Sequence, residues 1–317
     1  MNTLDNQEIH CKDDDQSAAT ELVAILVAVT NGQARVLTTN HGNHLPSGPL
    51  SPLHRSLQKG VKVWVEEQTA QPLDYVEQLY TFVDTARGLE AGQYCLMVSY
   101  LGLVKEMDAS SLSLEAKWFD WYVFFPWEDR RSRENEARCS HIVAALDAWI
   151  EAAEDESSRQ FRQQRVDMYW GRGEWNWSEE LALQRYELMY EIGLLPESPQ
   201  FQGEEIPFTG QSMQGDHRRI LATALSRLRA KIKYRPLIFD LMPPTFTLLQ
   251  LQQSIEALAG LLLHKPNFRR LIQHQDLVEP TGESIMQDRG RPAQMYRFKP
   301  NILKERALAR GKMPVNK

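Results

Sequence analysis

The stretch Pro243-Pro244-Thr245-Phe246-Thr247-Leu248-Leu249-Gln250-Leu251 decides how the chain is read. Two prolines break whatever precedes them, since each lacks a backbone donor and crowds the preceding turn. Thr247 then stands as a helix N-cap with Gln250 as third helical residue, a T-x-x-Q capping box, and Phe246 and Leu251 occupy the hydrophobic-staple positions around it. Leu248, Leu251, Ile255 and Leu258 supply a buried stripe, and Gly260 with its neighbours forms a turn. A second helix is expected from about Lys265, with Pro266 suited to its first turn. Its Phe268, Leu271 and Ile272 fall at i, i+3 and i+4 and are expected inward, leaving Asn267, Arg269, Arg270, Gln273 and His274 outward. Arginine can hold guanine O6 and N7 bidentately, and Asn or Gln can do the same for adenine N6 and N7. Downstream, Leu277-Val278-Glu279-Pro280-Thr281-Gly282 reads as a polar turn. With Gln294–Phe298 and a tip containing Arg289-Gly290-Arg291-Pro292, it predicts a wing whose arginines reach phosphate or a narrow minor groove. Capped helix, turn, donor-rich helix and basic wing together predict a winged helix-turn-helix for double-stranded DNA, with RNA or a protein as alternative partners. The candidate DNA-binding residues are Thr247, Gln250, Lys265, Asn267, Arg269, Arg270, Gln273, Arg289 and Arg291, foremost Arg269, Arg270 and Gln273.

Upstream, Asp216–Tyr234 reads as an amphipathic helix with Ile220, Leu221, Leu225, Leu228 and Ile232 inward. Its Arg218, Arg219, Arg227, Arg229, Lys231 and Lys233 are expected outward. The net charge of −6 conceals an asymmetry: residues 215–317 hold nineteen Lys and Arg against eight Asp and Glu, and the remainder seventeen against thirty-four. A basic module joined to an acidic one implies a polyanionic partner for one half, the alternative being a solvated basic face. The balance of 42% apolar and 25% charged residues is that of a soluble globular chain. No apolar run approaches the roughly 18–20 residues that cross a bilayer. The acidic N-terminus lacks the order of a secretory signal. Cys11, Cys95 and Cys139 form no CxxC pair, against a disulfide framework or a zinc ribbon. A cytoplasmic protein with no membrane contact is expected.

The N-terminal half reads differently. Residues 1–19 are polar and aperiodic, a disordered tail. Val23–Val29, Asn31-Gly32 and Ala34–Thr38 form a hairpin signature. Tyr80–Val83, Tyr94–Val104 and Trp118–Phe125 are strand-like, and Leu53–Gln68 is helical behind the turn Ser47-Gly48-Pro49. Strands flanking one helix predict an α/β sandwich. Within 129–200, His141–Ala153 and Ser178–Ile192 are expected helices, with Trp170, Trp175 and Trp177 at a Gly-rich joint, and 195–214 reads as a linker. The expected organisation is a tail (1–19), an effector-sensing domain (20–128), a helical insertion and linker (129–214) and a DNA-binding domain (215–317).

Leu45-Pro46-Ser47-Gly48, followed by a helix ending Val65-Glu66-Glu67-Gln68-Thr69, resembles a Nudix box, G-x5-E-x7-R-E-U-x-E-E-x-G-U. With Gly48 on the first glycine, Glu66 and Glu67 fall on the last acidic pair. Lys62 stands for the arginine and Trp64 in the bulky position. His54 and Val63 replace two glutamates and Thr69 the second glycine. Nudix chemistry needs several carboxylates converging on Mg²⁺, and adjacent helical residues point about 100° apart. No catalytic or metal-binding residues are therefore expected. Asp74–Phe82, Ser99–Val104, Asp216-His217-Arg218, Tyr234-Arg235-Pro236-Leu237, Lys265–Arg270 and Gly290-Arg291-Pro292-Ala293 also resemble the Nudix-related transcription regulators of bacterial NAD metabolism. The longer 129–200 connector and degraded box are similar to a divergent branch of that family. The resemblance implies an α+β protein, a Nudix-like α/β/α sandwich with a helical insertion followed by a C-terminal winged helix-turn-helix. It further implies a homodimeric repressor of NAD biosynthesis or salvage genes, with ADP-ribose, NAD or ATP as regulatory adenine nucleotide and no cofactor required. Gly48, Lys62, Glu66, Glu67, Gln78 and Tyr80 are the candidate effector-binding residues, and the Trp118–Trp127 rings are candidates for stacking on adenine or for the core. A Nudix-type nucleotide pyrophosphatase with an accessory basic domain, or an adaptor using the 129–200 helices, are the alternatives.

Overall fold

The computed structural model describes residues 19–84, 95–203, 207–234, 238–286, 292–302 and 304. The expected tail as far as residue 18, residues 235–237 and the wing-tip residues Arg289 and Arg291 lie outside them, while Ala19, expected in the tail, begins the first strand. The chain opens with β1 (Ala19–Thr30), the turn Asn31-Gly32 and β2 (Gln33–Thr38). Next come β3 (Ser47–Pro49), α1 (Leu57–Thr69), β4 (Glu77–Asp84), β5 (Cys95–Leu103) and β6 (Lys117–Asp120). These strands form one sheet in the order β4-β5-β1-β2-β6, with β3 also on β1. Among the described strands only β1 and β5 run parallel.

Strand β1 is central, so both of its faces are buried, and its unbroken apolar run divides by the two-residue period of a strand. Leu22, Ala24 and Leu26 pack under Val61 and Val65 of α1. Val23, Ile25 and Val27 join the opposite and larger core, which reaches the C-terminal half. Helix α1 begins four residues later than the sequence suggests because Ser56 is the cap, its Oγ accepting from Lys59 N–H at 3.2 Å.

The run Trp118–Phe125 was expected as a strand throughout, yet it is extended only to Asp120. Asp120 Oδ1 accepts Tyr122 N–H at 2.9 Å, and two single 3-10 turns follow, Trp121–Val123 and Pro126–Glu128. The tight winding sends successive rings in several directions, and Trp121, Tyr122, Phe124, Phe125 and Trp127 are all buried. These buried rings are core.

The insertion consists of α2 (Arg133–Arg138), α3 (Ser140–Glu151), α4 (Glu156–Trp170) and α5 (Ala182–Glu191), the last preceded by a 3-10 turn at Glu179–Leu181. Residues 195–214 are no free linker: Leu195, Thr209 and Met213 are buried, and Gln211 N–H donates to Val123 O at 2.9 Å.

Helix α6 (His217–Tyr234) carries the main correction. Its apolar stripe Ile220, Leu221, Leu225 and Leu228 packs on the open face of the sheet, as the second helical layer of the sandwich. Its other flank packs on α5. A helix covered on two sides has little outward face left, so Arg218 and Arg229, expected in solvent, are buried. Of the other expected cations, Arg227 is exposed and Arg219 half-buried. Five α6 cations pair with acids from the acidic half: Arg218–Glu197 (3.2 Å), Arg219–Glu187 (2.5 Å), Arg229–Glu128, Lys231–Glu77 (2.5 Å) and Lys233–Glu180 (2.7 Å). Part of the charge asymmetry is thus the two sides of an internal interface.

Beyond α6 follow β7 (Phe246–Thr247), α7 (Leu248–Ala259), α8 (Lys265–Gln275), β8 (Val278–Ile285) and β9 (Ala293–Phe298). The three strands pair as β7-β9-β8. The stretch 278–282, expected as a turn, lies inside β8, where the register slips between Pro280 and Ser284 and absorbs the proline and Gly282. Phe298 closes the small core, its ring 4.3 Å from that of Phe239 and 4.8 Å from that of Phe246.

Candidate nucleic-acid interface and ligand cleft

The capping box read from the sequence is present on α7: Gln250 N–H donates to Thr247 Oγ1 at 3.2 Å, and Thr247 N–H donates to Gln250 Oε1 at 2.8 Å. Thr247 is buried, so these two side chains are occupied in starting the helix. The staple pair Phe246 and Leu251 is buried as expected. Helix α8 presents Lys265, Asn267, Arg269, Arg270 and Gln273 to solvent, with Phe268 and Ile272 beneath. Leu271, expected inward, is 44% exposed, because Phe268 and Ile272 already fill the narrow seam against α7. Arg270 Nη2 donates to Asn267 Oδ1 at 2.9 Å, which steadies both side chains on one face. Behind α8 the wing strands are braced by Arg297 Nε–Glu279 Oε1 at 2.8 Å.

The turn between α7 and α8 is anchored from below. Gly260, with φ +73°, caps α7, and a Cβ there would run into the Glu128 carbonyl oxygen, with Arg229 Nη2 2.8 Å away and the Tyr122 hydroxyl 2.9 Å away. Tyr122 Oη donates to Ala257 O at 2.7 Å, Arg229 Nε to Leu258 O at 3.0 Å, and Arg130 N–H to Gly260 O at 2.8 Å. The last carbonyls of α7, unsatisfied within the helix, are thus capped by residues from the sandwich. Gly260→Ala combines left-handed strain with a backbone clash; a loss of more than about 1 kcal/mol is expected, measured by urea unfolding.

Glu128 is the centre of this anchor. Its carboxylate, 1% exposed, accepts from Arg185 Nε at 2.5 Å, Arg185 Nη2 at 2.9 Å and Arg229 Nη1. Burial alone would push this carboxyl up, and the guanidiniums of Arg185 and Arg229 overcome it and hold it below the usual carboxylate range. The excess positive charge is spread onto carbonyls, Arg185 Nη1 donating to Tyr169 O at 2.8 Å and Ser178 O at 3.0 Å. Nearby, burial raises the Cys139 thiol to about 11, which makes it an unreactive packing group.

A cleft of about 460 Å³ opens where β3, the C-terminal end of α1 and residues 113–115 meet. His44, Leu45, Ser47, Glu67, Gln68 and Glu115 are among its walls. Gln68 closes one side, its Nε2 donating to Ser47 O at 2.6 Å and its Oε1 accepting Ser47 N–H at 3.1 Å. Gly48 lies beside it on β3, where a Cβ would strike the indole of Trp64. Of the expected effector residues only Glu67 lines the cleft. Glu66 is exposed on the next helical position, Lys62 Nζ donates to Asp74 O, and Gln78 and Tyr80 (49% exposed) lie on the edge strand β4, away from it. His44, Gln68 and Glu115 in the cleft and Glu128 in the anchor were not among the candidates read from the sequence. Among the described residues no group of three or more His, Cys, Asp or Glu is arranged to hold a metal ion, and no helix is long and apolar enough to cross a membrane.

Residues 238–298 match the family model of the NrtR DNA-binding winged helix domain. Over 83 residues, 26% of this chain, the sequence is 43% identical to the ADPR responsive transcriptional repressor NtrR of Acinetobacter baylyi; the match spans 33% of that protein, so the chain covers about a third of the length of this curated relative. Among solved structures, Shewanella oneidensis NrtR complexed with a 27mer DNA is similar over 89% of this chain and 94% of that one, with a TM-score of 0.52 and 21% identity. The same protein solved without that partner gives a TM-score of 0.50 and 20% identity over the same shares. What is shared at that identity is the fold. The α+β class expected from the sequence therefore holds, a Nudix-like sandwich with a helical insertion ahead of a winged helix-turn-helix.

Proposed function

We propose that this chain, whose residues 238–298 are an NrtR-type winged helix domain, is a DNA-binding transcriptional repressor governed by an adenine nucleotide, with ADP-ribose ahead of NAD or ATP. The observation that carries the reading is the helix-turn-helix of α7 and α8, capped at the start of α7 and anchored at its turn, in which the exposed face of α8 offers Lys265, Asn267, Arg269, Arg270 and Gln273. Such a row of donors suits base edges and phosphates in a major groove. We assign the reading head to 238–298 and α6 to the sensor, because α6 packs on the sheet. The name of the Acinetobacter relative, responsive to ADP-ribose, supports that effector. The cleft beside Glu67 is its proposed seat, where Glu67 and Glu115 can accept hydrogen bonds from ribose hydroxyls. The target genes are those of NAD biosynthesis or salvage, and the working form is a cytoplasmic homodimer on a two-half-site operator.

The test is titration of a labelled duplex from upstream of its own gene, with and without ADP-ribose. A nucleotide-dependent shift in affinity is expected; Mg²⁺-dependent release of AMP with no DNA binding would favour a pyrophosphatase instead. ADP-ribose at 100 times its Kd should also add about 2.7 kcal/mol to folding stability. A thermal-shift series over ADP-ribose, NAD and ATP then ranks the three.

A further inference from the structure

Helix α6 touches both the cleft wall and the reading head. At its first residue, His217 is 2% exposed; its ring meets that of His44 edge-on at 5.2 Å, and its Nδ1 accepts Leu45 N–H at 3.1 Å. His44 and Leu45 both line the cleft. One turn before, Gln214 N–H donates to Asn43 O at 2.9 Å, so the whole entry of α6 is stitched to that wall. Twelve residues further, about 18 Å along the axis, Arg229 grips Leu258 O at the last turn of α7 and Glu128 beneath it. Between the two ends the helix is fixed by Ile220, Leu221 and Leu225, all fully buried. A close-packed helix is stiff, and a small displacement at one end is delivered at the other.

We propose that α6 is the relay between effector and DNA, with His217 as its input and Arg229, assisted by Tyr122, as its output. These are positioning residues: none lines the cleft or faces solvent on α8. A ligand seated against His44 and Leu45 displaces His217 along or about the α6 axis. Arg229 carries that movement to the α7 carboxyl end, and α8 changes its angle to the duplex. This rests on the effector reading above, and it names the path by which the effector acts.

The experiment uses the full chain, ADP-ribose and the upstream duplex. Wild type should show a change in DNA affinity of about tenfold or more on saturation with ADP-ribose. His217→Ala and Tyr122→Phe should bind each partner alone within about threefold of wild type, yet lose most of that response. His217→Asn, whose Oδ1 replaces the ring acceptor for Leu45 N–H, should restore it. An undiminished response in the Ala and Phe variants overturns the relay while leaving the effector reading intact. A wild type indifferent to ADP-ribose overturns the effector reading itself. A ligand-free arm decides the path independently: in His217→Ala, amide exchange at residues 258–264 should quicken relative to the β8–β9 hairpin, and unchanged exchange there rejects the relay.

Discussion

Replacing Arg269 and Arg270 together with Ala is expected to abolish useful DNA affinity, at a cost of about 1–3 kcal/mol for each arginine that reads a base. Both side chains are exposed on α8, and neither supports the fold beyond the Arg270–Asn267 contact at 2.9 Å. The double variant should therefore unfold at the wild-type temperature while its Kd rises by about 30-fold or more. Anisotropy titration and a circular-dichroism melt of the same preparation separate the two. Unaltered DNA affinity in a folded double variant would sink the assignment of α8 as the reading helix.

Glu128→Ala is the largest expected stability effect. It leaves Arg185 and Arg229, both fully buried, facing each other without their shared carboxylate. Removing one partner of a buried ion cluster typically costs about 3–5 kcal/mol, since the remaining charge has lost its compensation. That is a large part of a domain's margin, and denaturant unfolding will register it. The pH dependence follows from the same geometry. The folded-state pKa of Glu128 lies below its ordinary value of 4.5, so its contribution is complete above that value. It is lost as pH falls through the depressed native value, because the unfolded chain takes up the proton first. The variant should consequently show a shallower acid-unfolding slope below about pH 4.5, and equal slopes would argue that Glu128 is protonated in the native protein.

Local signals were legible in the sequence wherever their partners lay within a few residues. The capping box at Thr247 and Gln250, the hairpin turn Asn31-Gly32 and the apolar run of β1 that it closes are of that kind, and all stand as read. Arg218 and Arg229 were not legible, because periodicity assigns a cation on an amphipathic helix to water. The acid that buries Arg229 lies about a hundred positions earlier, at Glu128. The aromatic run after Trp118 misled for a related reason: β-propensity does not distinguish a strand from tight turns whose rings fill a core. Of the cleft, the degraded Nudix box contains Leu45, Ser47, Glu67 and Gln68, and only Glu67 was a candidate. Glu115 and His44 come from segments without a motif, brought together only by the sheet order. The donor row on α8 was visible in full, whereas the exposure of Leu271 was not, because it depends on how narrow the α7 seam is.

The ion pairs along α6 bear on how this protein would sample a genome. Cations already matched within the fold displace no condensed ions from a duplex, so they add nothing to the salt-sensitive, sequence-blind part of the affinity. On α8, Lys265, Arg269 and Arg270 stay exposed, and each of them that meets a phosphate rather than a base adds about −0.9 to the slope of log affinity against log salt. The internal pairing along α6 therefore shifts the balance away from random DNA and toward the bases that the head recognises.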